Sequence, residues 1–572
     1  MAGRPTSARI TPLGDAAVAI ELGRTIDPRL NARVHALDRA VHEAGLPGVR
    51  ESVPAYASLL VHYDPLAVGY DDLAAALQPI VASTTGGPFA DPRAVVGLQL
   101  RTPSSLSGRL RPAVIDVPVV YGDGAGPDLD EVARRAGMTT DEVIRRHAAA
   151  DYRVAMIGFA PGFPYLMGMD PAIACPRLET PRLRVPAGSV GIADTQTGIY
   201  PFAMPGGWWL IGRTALRLFD PAARPPSLLR PGQAVRFVAV GGTAVELADR
   251  DALPAPREHS PPVAAAIRVL DPGFQTTVQD GGRWGFQRDG VPPSGAADPH
   301  SYARGNVAVG NTRMAAALEI TAGGTSFEFL ARCRVALAGA WVEATLDRAD
   351  VASEAPVDAE PGMVLRFGRP ARGLRTYLCV AGGIDVPPIL GSRSTYLPAG
   401  FGGFAGRALR AGDELPVGPP EVSDRSRRGA GSRAAMGPAA PRATGPATVA
   451  LPFVVGGQWE DHAPEAREAF VAASWRVSHQ SDRIGLRFEG PPLGGVGRSQ
   501  PFVSDGTVTG AIQVAGDGRP IVLLVDRQTT GGYPKLGAVA SVALSALGQL
   551  APGDEVRFVP MTVAEAQASL RT

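Results

Sequence analysis

The sequence contains a single lysine, Lys535, so that every other member of its 56 Lys and Arg residues is arginine. The Gly-Lys-Ser/Thr triplet of a Walker A loop is therefore absent. An enzyme that forms a Schiff base would have to use Lys535. Because Lys535 stands between Pro534 and Leu536, it lacks the small or Met neighbours of a biotin-carrying hairpin tip. We therefore expect no covalently bound biotin on this chain.

The sequence also has few cysteines, no long apolar run and almost no net charge. The three cysteines, Cys175, Cys333 and Cys379, lie far apart in the sequence, which excludes a disulfide framework and a CxxC metal site. The first residues form no apolar signal region, and no run of about 18 apolar residues occurs. The net charge of +1 does not indicate a basic surface for nucleic acid. We expect a cytoplasmic protein with no nucleic-acid or membrane partner.

Glycine and proline are abundant, at 69 and 54 residues, whereas aromatic residues make up only 6%. This composition favours short strands joined by tight turns, hence a mainly β protein. Helix-spaced apolar residues near the start predict a small α+β domain with two helices on one antiparallel sheet. The predicted segments are an α+β domain at 1–84, barrel units at 113–249, 267–418 and 449–564, and a low-complexity linker at 419–448.

Two distant stretches of the sequence resemble each other. Arg230–Phe237 (RPGQAVRF) and Ala551–Phe558 (APGDEVRF) match closely, with a weaker echo at Arg410–Leu415. Similarity at long spacing indicates a duplicated unit, which we interpret as related β-barrels, each closed by a strand after a Pro/Ala-Gly turn. An arginine followed by Thr or Gln-Thr, Arg213 in one copy and Arg527 in the other, is expected at matching positions.

The stretch richest in functional signals is Ser504–Gly537. It predicts a strand, a hairpin turn, a buried strand, and a polar run that ends at Gly531-Gly532, where backbone could approach a ligand closely. A lysine retained in an arginine-rich chain suggests a need for a compact ammonium group that meets a phosphate or carboxylate. The alternative is an ordinary solvated turn with one surviving surface lysine.

Two other stretches are candidates for ligand contact. Met156–Tyr165 is a stiff, aromatic loop that could be either a pocket wall or a rigid corner packing its own rings. Ser294 and Asp298 precede a helix that starts at Pro299, where an anion could bind or Asp298 could simply cap the helix. The candidate substrate-binding residues are Phe159, Pro161, Gly162, Phe163, Tyr165, Arg182, Gln196, Arg213, Ser294, Asp298, Gln513, Gly531, Gly532 and Tyr533.

Several of these motifs resemble a known family. GFAPGFPYL and PGGWWLIGRT are similar to the B-type subunit of bacterial ATP-dependent 5-oxoprolinase, also described as a Kip-type sensor-kinase inhibitor or allophanate hydrolase subunit 1. VLDPGFQTTVQDGGRWGFQRDG and SDGTVTGAIQVAGDGRPIVLLVDRQTTGGYPK are similar to the C-type subunit, the Kip-antagonist type or allophanate hydrolase subunit 2. The chain thus resembles a B–C fusion. The resemblance implies three cyclophilin-like β-barrel units after the α+β domain, in a superfamily with biotin-dependent carboxyltransferases.

The resemblance further implies opening of 5-oxoproline to glutamate, with ATP and Mg²⁺, together with a separate A-type subunit. We take Lys535, Asp505 and Arg527 as candidate catalytic residues, with Arg213 also able to contact phosphate or carboxylate. Either Asp505 or Asp526 would hold Mg²⁺ or orient Lys535, and no metal ligand set is assigned. Two alternatives are a biotin-dependent carboxyltransferase acting on an amide or amine, and a non-catalytic regulator of a sensor histidine kinase.

Two segments depart from the family pattern. Pro419–Thr448 is longer and more basic than a usual connector. Val454–Gln458 stands where a Pro-Gly-Pro-Gln-like turn is usual. Because it lies far from the motif-rich stretches in sequence, we expect it to affect only the local fold.

Overall fold

A computed structural model describes residues 8–85, 114–241, 265–419, 448–496 and 502–571. Most of the predicted low-complexity linker at 419–448 lies outside these residues. Within them the chain forms an N-terminal α+β unit, a first barrel, a middle unit and a last barrel. No described helix is both long and apolar enough to cross a membrane.

The N-terminal unit is a four-stranded antiparallel sheet of order β1-β2-β4-β3 with two helices. Its elements are β1 (Arg9–Pro12), β2 (Ala17–Glu21), α1 (Pro28–Ala44), β3 (Val49–Pro54), β4 (Ser58–Tyr63) and α2 (Tyr70–Thr85). Helix α1 begins at Pro28 because the Asp27 side chain accepts a hydrogen bond from Arg29 N at 2.7 Å. It ends at Gly45, which adopts the left-handed conformation. The helix buries Val34 and Leu37 against the sheet, as predicted.

The first barrel closes when its first and last strands pair in parallel. Its elements are β5 (Ile115–Tyr121), α3 (Leu129–Ala136), α4 (Thr140–Ala149), β6 (Tyr152–Ile157), β7 (Pro164–Met167), β8 (Arg182–Val185), β9 (Ser189–Ala193), β10 (Gln196–Ile199), β11 (Met204–Gly206), β12 (Trp209–Arg213) and β13 (Ala234–Ala239). The ring runs β5-β12-β9-β10-β7-β6-β13, and β8 pairs with β11 outside it. Val235 pairs with Ile115 across the parallel closure.

The middle unit packs its own apolar core, with strands β14 (Ala265–Asp271), β15 (Gln275–Gln279), β16 (Ala317–Thr321), β17 (Ser326–Phe329), β18 (Cys333–Leu346), β19 (Ala349–Asp350), β20 (Val357–Ala359), β21 (Val364–Val380) and β22 (Glu414–Pro416), and helix α5 (Pro299–Ala308). These strands form one nine-stranded sheet. The long strand β21 pairs with β17 at one end and β16 at the other, while β18 follows it throughout. Among the described pairings, the main path of the sheet runs β15-β16-β21-β17-β14-β22.

The last barrel repeats the topology of the first. It contains β23 (Val449–Val455), α6 (Pro464–Ala472), β24 (Trp475–Val477), β25 (Gly485–Glu489), β26 (Asp505–Gly506), β27 (Ala511–Val514), β28 (Pro520–Leu523), β29 (Thr530–Gly531), β30 (Lys535–Val539), α7 (Leu544–Gln549), β31 (Glu555–Met561) and α8 (Val563–Ser569). Its ring runs β23-β30-β27-β28-β25-β24-β31, and β26 pairs with β29 outside it. Val556 pairs with Val449 in the parallel closure, which is the register of the first barrel. The mainly β class and the duplicated barrel are confirmed.

A buried ionic network joins the last barrel to the middle unit. Arg483 donates to Asp526 at 2.7 Å through Nε and also contacts Glu319, and all three side chains are at most 6% exposed. Glu319 in turn accepts from the Tyr377 hydroxyl at 2.7 Å. Breaking a buried ion pair is costly because it leaves an uncompensated charge. The network therefore fixes how these two units dock.

The first barrel also contains a buried titratable residue that predicts how stability responds to pH. His147 is fully buried, with Nδ1 2.7 Å from the Tyr121 hydroxyl and Nε2 3.0 Å from Thr197 Oγ1. Burial lowers the pKa of His147 to about 3 from its ordinary value of 6.5. Below pH 6.5 the unfolded chain therefore binds a proton that the folded chain does not bind. As the pH falls from 6.5 towards 3, this group lowers the free energy of unfolding by about 1.4 kcal/mol per pH unit.

We expect His147→Gln to lose less stability than the wild type between pH 7 and pH 4, because glutamine keeps a donor and an acceptor but does not titrate. Thermal unfolding followed by circular dichroism at several pH values measures this difference. His42→Gln, at an exposed position in α1, should leave the wild-type pH dependence unchanged. Parallel pH curves for wild type and His147→Gln would contradict the assignment.

Candidate active site

A cavity of about 80 Å³ lies between the N-terminal unit and the last barrel. Leu13 and Leu60 line it from the N-terminal sheet. Gln458, Asp505 and Lys535 line it from the last barrel. The two ends of the chain thus form opposite walls of one cavity.

Lys535 is held at the start of β30 by three contacts. Its ammonium group forms an ion pair with Asp505, and the residue is only 3% exposed. Its backbone N–H donates to Gln458 Oε1 at 2.8 Å, and its carbonyl oxygen lies 3.3 Å from His462 Nε2. The Gln458 amide nitrogen also donates to Asp505 Oδ2 at 3.0 Å. One glutamine side chain therefore positions both members of the ion pair.

The surroundings change the acidity of the groups beside Lys535. Burial raises the pKa of the Asp505 carboxyl above its ordinary value, and the nearby Lys535 charge opposes this only in part. Burial lowers the pKa of His462, which favours the neutral imidazole. A carboxyl group of raised pKa that contacts an ammonium group can take part in proton transfer.

A second charged group lies at the rim of the cavity. Arg24 donates to Glu21 Oε1 at 2.6 Å through Nε. Its two Nη atoms each lie 2.8 Å from a different oxygen of Asp461. Arg24 and Glu21 belong to the N-terminal unit, whereas Asp461 belongs to the last barrel. This ion pair therefore bridges the two walls.

The first barrel has an apolar residue at the position equivalent to Lys535. Gly212 pairs with Tyr121 as Gly537 pairs with Val455, which makes Leu210 the counterpart of Lys535. Leu210 N donates to Asp128 Oδ2 at 2.6 Å, as Lys535 N donates to Gln458. A strand start held by a polar side chain is therefore common to both barrels, whereas the ammonium group occurs only in the last.

The structure places several predicted site residues beside this cavity. Asp505 and Lys535 line it. Gly531 pairs with Asp505 between β26 and β29, and Gln513 pairs with Lys535 between β27 and β30. Gly532 packs against Ser504, and Tyr533 is half exposed. Of the two aspartates considered as partners of Lys535, the contact is made by Asp505, whereas Asp526 pairs with Arg483.

Arg527 and Arg213 are buried elsewhere. Arg527 donates to Gln287 Oε1 at 2.5 Å and to Thr507 Oγ1 at 3.1 Å, and burial lowers its pKa to about 9. Arg213 donates from Nε to the Ala187 carbonyl oxygen at 2.6 Å. Their expected equivalence is wrong: Arg213 ends β12, the counterpart of β30, whereas Arg527 follows β28, the counterpart of β10. Local sequence similarity predicted that the two arginines occupy equivalent positions, but the strand order shows that they do not.

The aromatic loop of the first barrel packs between units. Phe163 contacts the rings of Phe159, Tyr165, Tyr200 and Trp208 in one cluster. A side chain at Gly158 would lie 1.8 Å from Thr530 Oγ1, so the loop meets the polar run of the last barrel directly. The positions of these residues, which include Pro161 and Gly162, favour the rigid-corner interpretation.

The remaining candidates make contacts within the fold. Arg182 donates to Asp128 at 2.6 Å, and Gln196 accepts from the Tyr56 hydroxyl at 2.7 Å. Asp298 caps α5 by accepting from Ser301 N at 3.0 Å and also binds Gln549. Ser294 N donates to the Val525 carbonyl at 3.0 Å. A ligand role for these residues stays a prediction.

Comparisons with known proteins cover both halves of the chain. Models of the carboxyltransferase domain match subdomains C and D over residues 8–229, and subdomains A and B over residues 289–560. The chain is 39% identical to the C-type subunit of 5-oxoprolinase from Escherichia coli (strain K12) over 300 residues, which is 52% of this chain and 93% of that protein. It is 42% identical to the B-type subunit of 5-oxoprolinase from Bacillus subtilis (strain 168) over 232 residues, which is 41% of this chain and 92% of that protein.

The chain belongs to the family of the B-type and C-type components of 5-oxoprolinase. The B–C fusion expected from the motifs is confirmed, since each half spans nearly the whole of one component. The crystal structure of TTHA0988 superposes with a TM-score of 0.78 at 34% identity, covering 95% of this chain and 99% of that one. The order of units therefore also occurs in another single chain.

The residues that complete the site of this family member were not predicted from the sequence. Gln458 lies in the segment expected to matter only locally, and that expectation is wrong. Strand pairing places the turn after β23 against the start of β30, so Gln458 reaches Lys535 although 77 residues separate them. Neither Arg24 nor Asp461 belongs to a sequence motif that pointed to a site. Only the docking of the two walls brings them together.

The Lys535–Asp505 pair predicts coupled effects on stability. Lys535→Leu should fold, because Leu210 occupies the equivalent strand position, but it leaves Asp505 without its cation. We expect a loss of about 1–3 kcal/mol in the free energy of unfolding. Adding Asp505→Asn should restore part of that loss, since neither charge then stays unpaired.

Urea unfolding of the two single variants, the double variant and the wild type measures this coupling. Arg236→Leu at the exposed Arg236–Asp116 pair serves as the matched control and should change stability little. Additive effects of Lys535→Leu and Asp505→Asn would contradict the ion pair.

Proposed function

We propose that this chain supplies the B and C components of an ATP-dependent 5-oxoprolinase, which opens 5-oxoproline to glutamate with a separate A-type subunit. The observation that carries the proposal is the ion pair between the buried Lys535 and the partly exposed Asp505, in a cavity between the B-like half and the C-like half of the chain. The cavity volume of about 80 Å³ suits a small ring. It is well below the roughly 300–1,000 Å³ of sites for drug-sized ligands.

Ring opening adds water across the lactam C–N bond. The hydroxyl group goes to the carbonyl carbon, and a proton goes to the ring nitrogen, which becomes the amino group of glutamate. In the proposed mechanism the Lys535 ammonium group donates a hydrogen bond to the lactam oxygen, where negative charge develops. Asp505 holds the ammonium group and, with its raised pKa, accepts the proton of the attacking water. Gln458 fixes the geometry of both.

The cavity residues do not fit ATP and Mg²⁺ on their own. Its described charged residues are three carboxylates, Glu21, Asp461 and Asp505, and two cations, Arg24 and Lys535. This negative balance disfavours a triphosphate. Within the described ranges, no group of three or more His, Cys, Asp or Glu residues could hold a metal ion. We therefore assign the nucleotide and its metal to the A-type subunit or a surface formed with it.

The second candidate is a biotin-dependent carboxyltransferase, which the description of the matching domain models favours. It requires biotin on a partner chain, because the only lysine lies in a buried strand in contact with Asp505. In that case Lys535 would contact the carboxyl group being transferred. Incorporation of labelled bicarbonate into product distinguishes this candidate from the first.

Replacing Lys535 by arginine tests the first candidate. Arginine keeps the charge, but its planar guanidinium group presents donors differently from a compact ammonium group. We expect Lys535→Arg to lower 5-oxoproline-dependent ADP release by about 100-fold or more in the complex reconstituted with the A-type chain.

The control variant is Arg236→Lys, an exposed exchange in the first barrel that should keep full ADP release. Wild-type turnover by Lys535→Arg would rule out Lys535 as a chemical participant. If the wild-type complex releases no ADP in response to 5-oxoproline, the proposed activity itself is wrong; labelled bicarbonate then separates the carboxyltransferase from a regulator of a sensor histidine kinase.

A further inference from the structure

The rim of the cavity contains a cation whose geometry matches a carboxylate ligand. Arg24 donates a hydrogen bond from one Nη atom to Asp461 Oδ1 at 2.8 Å, and its other Nη atom lies 2.8 Å from Asp461 Oδ2. This forked arrangement is how a guanidinium group binds a free carboxylate. Glu21 holds the opposite edge of Arg24 through Nε at 2.6 Å, so the forked edge keeps its direction whether or not Asp461 is bound to it.

We propose that Arg24 binds the carboxylate of the substrate, and that Asp461 occupies this position until the substrate arrives. The inference rests on the proposed function and names the part of the substrate that each half recognises. 5-Oxoproline has a lactam, and its carboxylate is on the ring carbon bonded to the lactam nitrogen. Lys535 contacts the lactam from the last barrel, and Arg24 contacts the carboxylate from the N-terminal unit.

The exposure of the pair makes such an exchange feasible. The side chains of Arg24 and Asp461 are 32% and 22% exposed, whereas that of Lys535 is 4% exposed and that of its partner Asp505 is 25% exposed. Ion pairs that retain this much contact with water add little net stability. A substrate carboxylate can therefore replace Asp461 at the rim without moving the buried ammonium group of Lys535.

Exchange also predicts selectivity for lactams that carry a carboxylate. A lactam without a carboxylate, such as 2-pyrrolidinone, would leave Arg24 bound to Asp461 and would gain only the contacts to Lys535. Binding of 5-oxoproline joins the two walls through one small molecule. Arg24 is thus a specificity-determining residue contributed by the half that does not contain Lys535.

Two substitutions at this pair distinguish ligand exchange from a structural clamp. Arg24→Gln removes the carboxylate-binding group, so the dissociation constant for 5-oxoproline should rise about ten- to a hundred-fold. Asp461→Asn removes the competitor, so that dissociation constant should fall several-fold. Neither variant should change the affinity for 2-pyrrolidinone.

Isothermal titration calorimetry of the full-length chain, in complex with the A-type chain, measures these affinities. Arg134→Gln, which breaks an exposed ion pair on α3, is the matched control and should bind like the wild type. If Arg24→Gln and Asp461→Asn both weaken binding, the pair is only a clamp and this inference is wrong. If the wild-type complex does not bind 5-oxoproline, the proposed function fails first, and this inference fails with it.

Discussion

The parallel pairing of β23 with β31 is the constraint on which the candidate site depends. Once the first and last strands of the barrel are side by side, β30 must lie on the other edge of β23. The turn that follows β23 then meets the start of β30, and Gln458 bonds to the backbone of Lys535. A buried ammonium group needs a counter-charge and satisfied neighbours. The barrel supplies these through Asp505 and Gln458.

The two barrels show how one framework supports different local chemistry. Each anchors the start of its penultimate ring strand with a polar side chain from the turn after its first strand, Asp128 in one and Gln458 in the other. In the first barrel Asp128 carries a charge and already bonds to Arg182, and the strand position is filled by Leu210. The uncharged Gln458 leaves Asp505 to balance Lys535. Exchanging a carboxylate for an amide at the anchor is therefore compatible with a charged residue on the strand.

The sequence predicted the features that depend on local pattern. Repeated turn motifs indicated the duplicated barrel, and the isolated lysine indicated where to look for a site, because each of these signals is contained in a short stretch of sequence. It could not predict that Arg213 and Arg527 lie on non-equivalent strands, since that depends on ring order. Nor could it identify Gln458 or Arg24, whose contacts with the last barrel join segments 77 and 437 residues apart.

Fusion of the two halves has a physical consequence for a site built between them. Beyond the cavity, the last helix, α8, also docks on the N-terminal unit: Gln567 donates to the Asp15 carbonyl at 3.0 Å and to the Tyr63 hydroxyl at 2.8 Å. Asp15 accepts from Ser541 N at 2.8 Å in the same interface. Polar contacts of this kind give orientation but modest affinity. When both walls belong to one chain, their association is intramolecular and no longer depends on protein concentration. These polar contacts, with the apolar cluster that packs Leu13 and Leu60 against Ala538, can then hold a cavity that two separate proteins would have to assemble by collision.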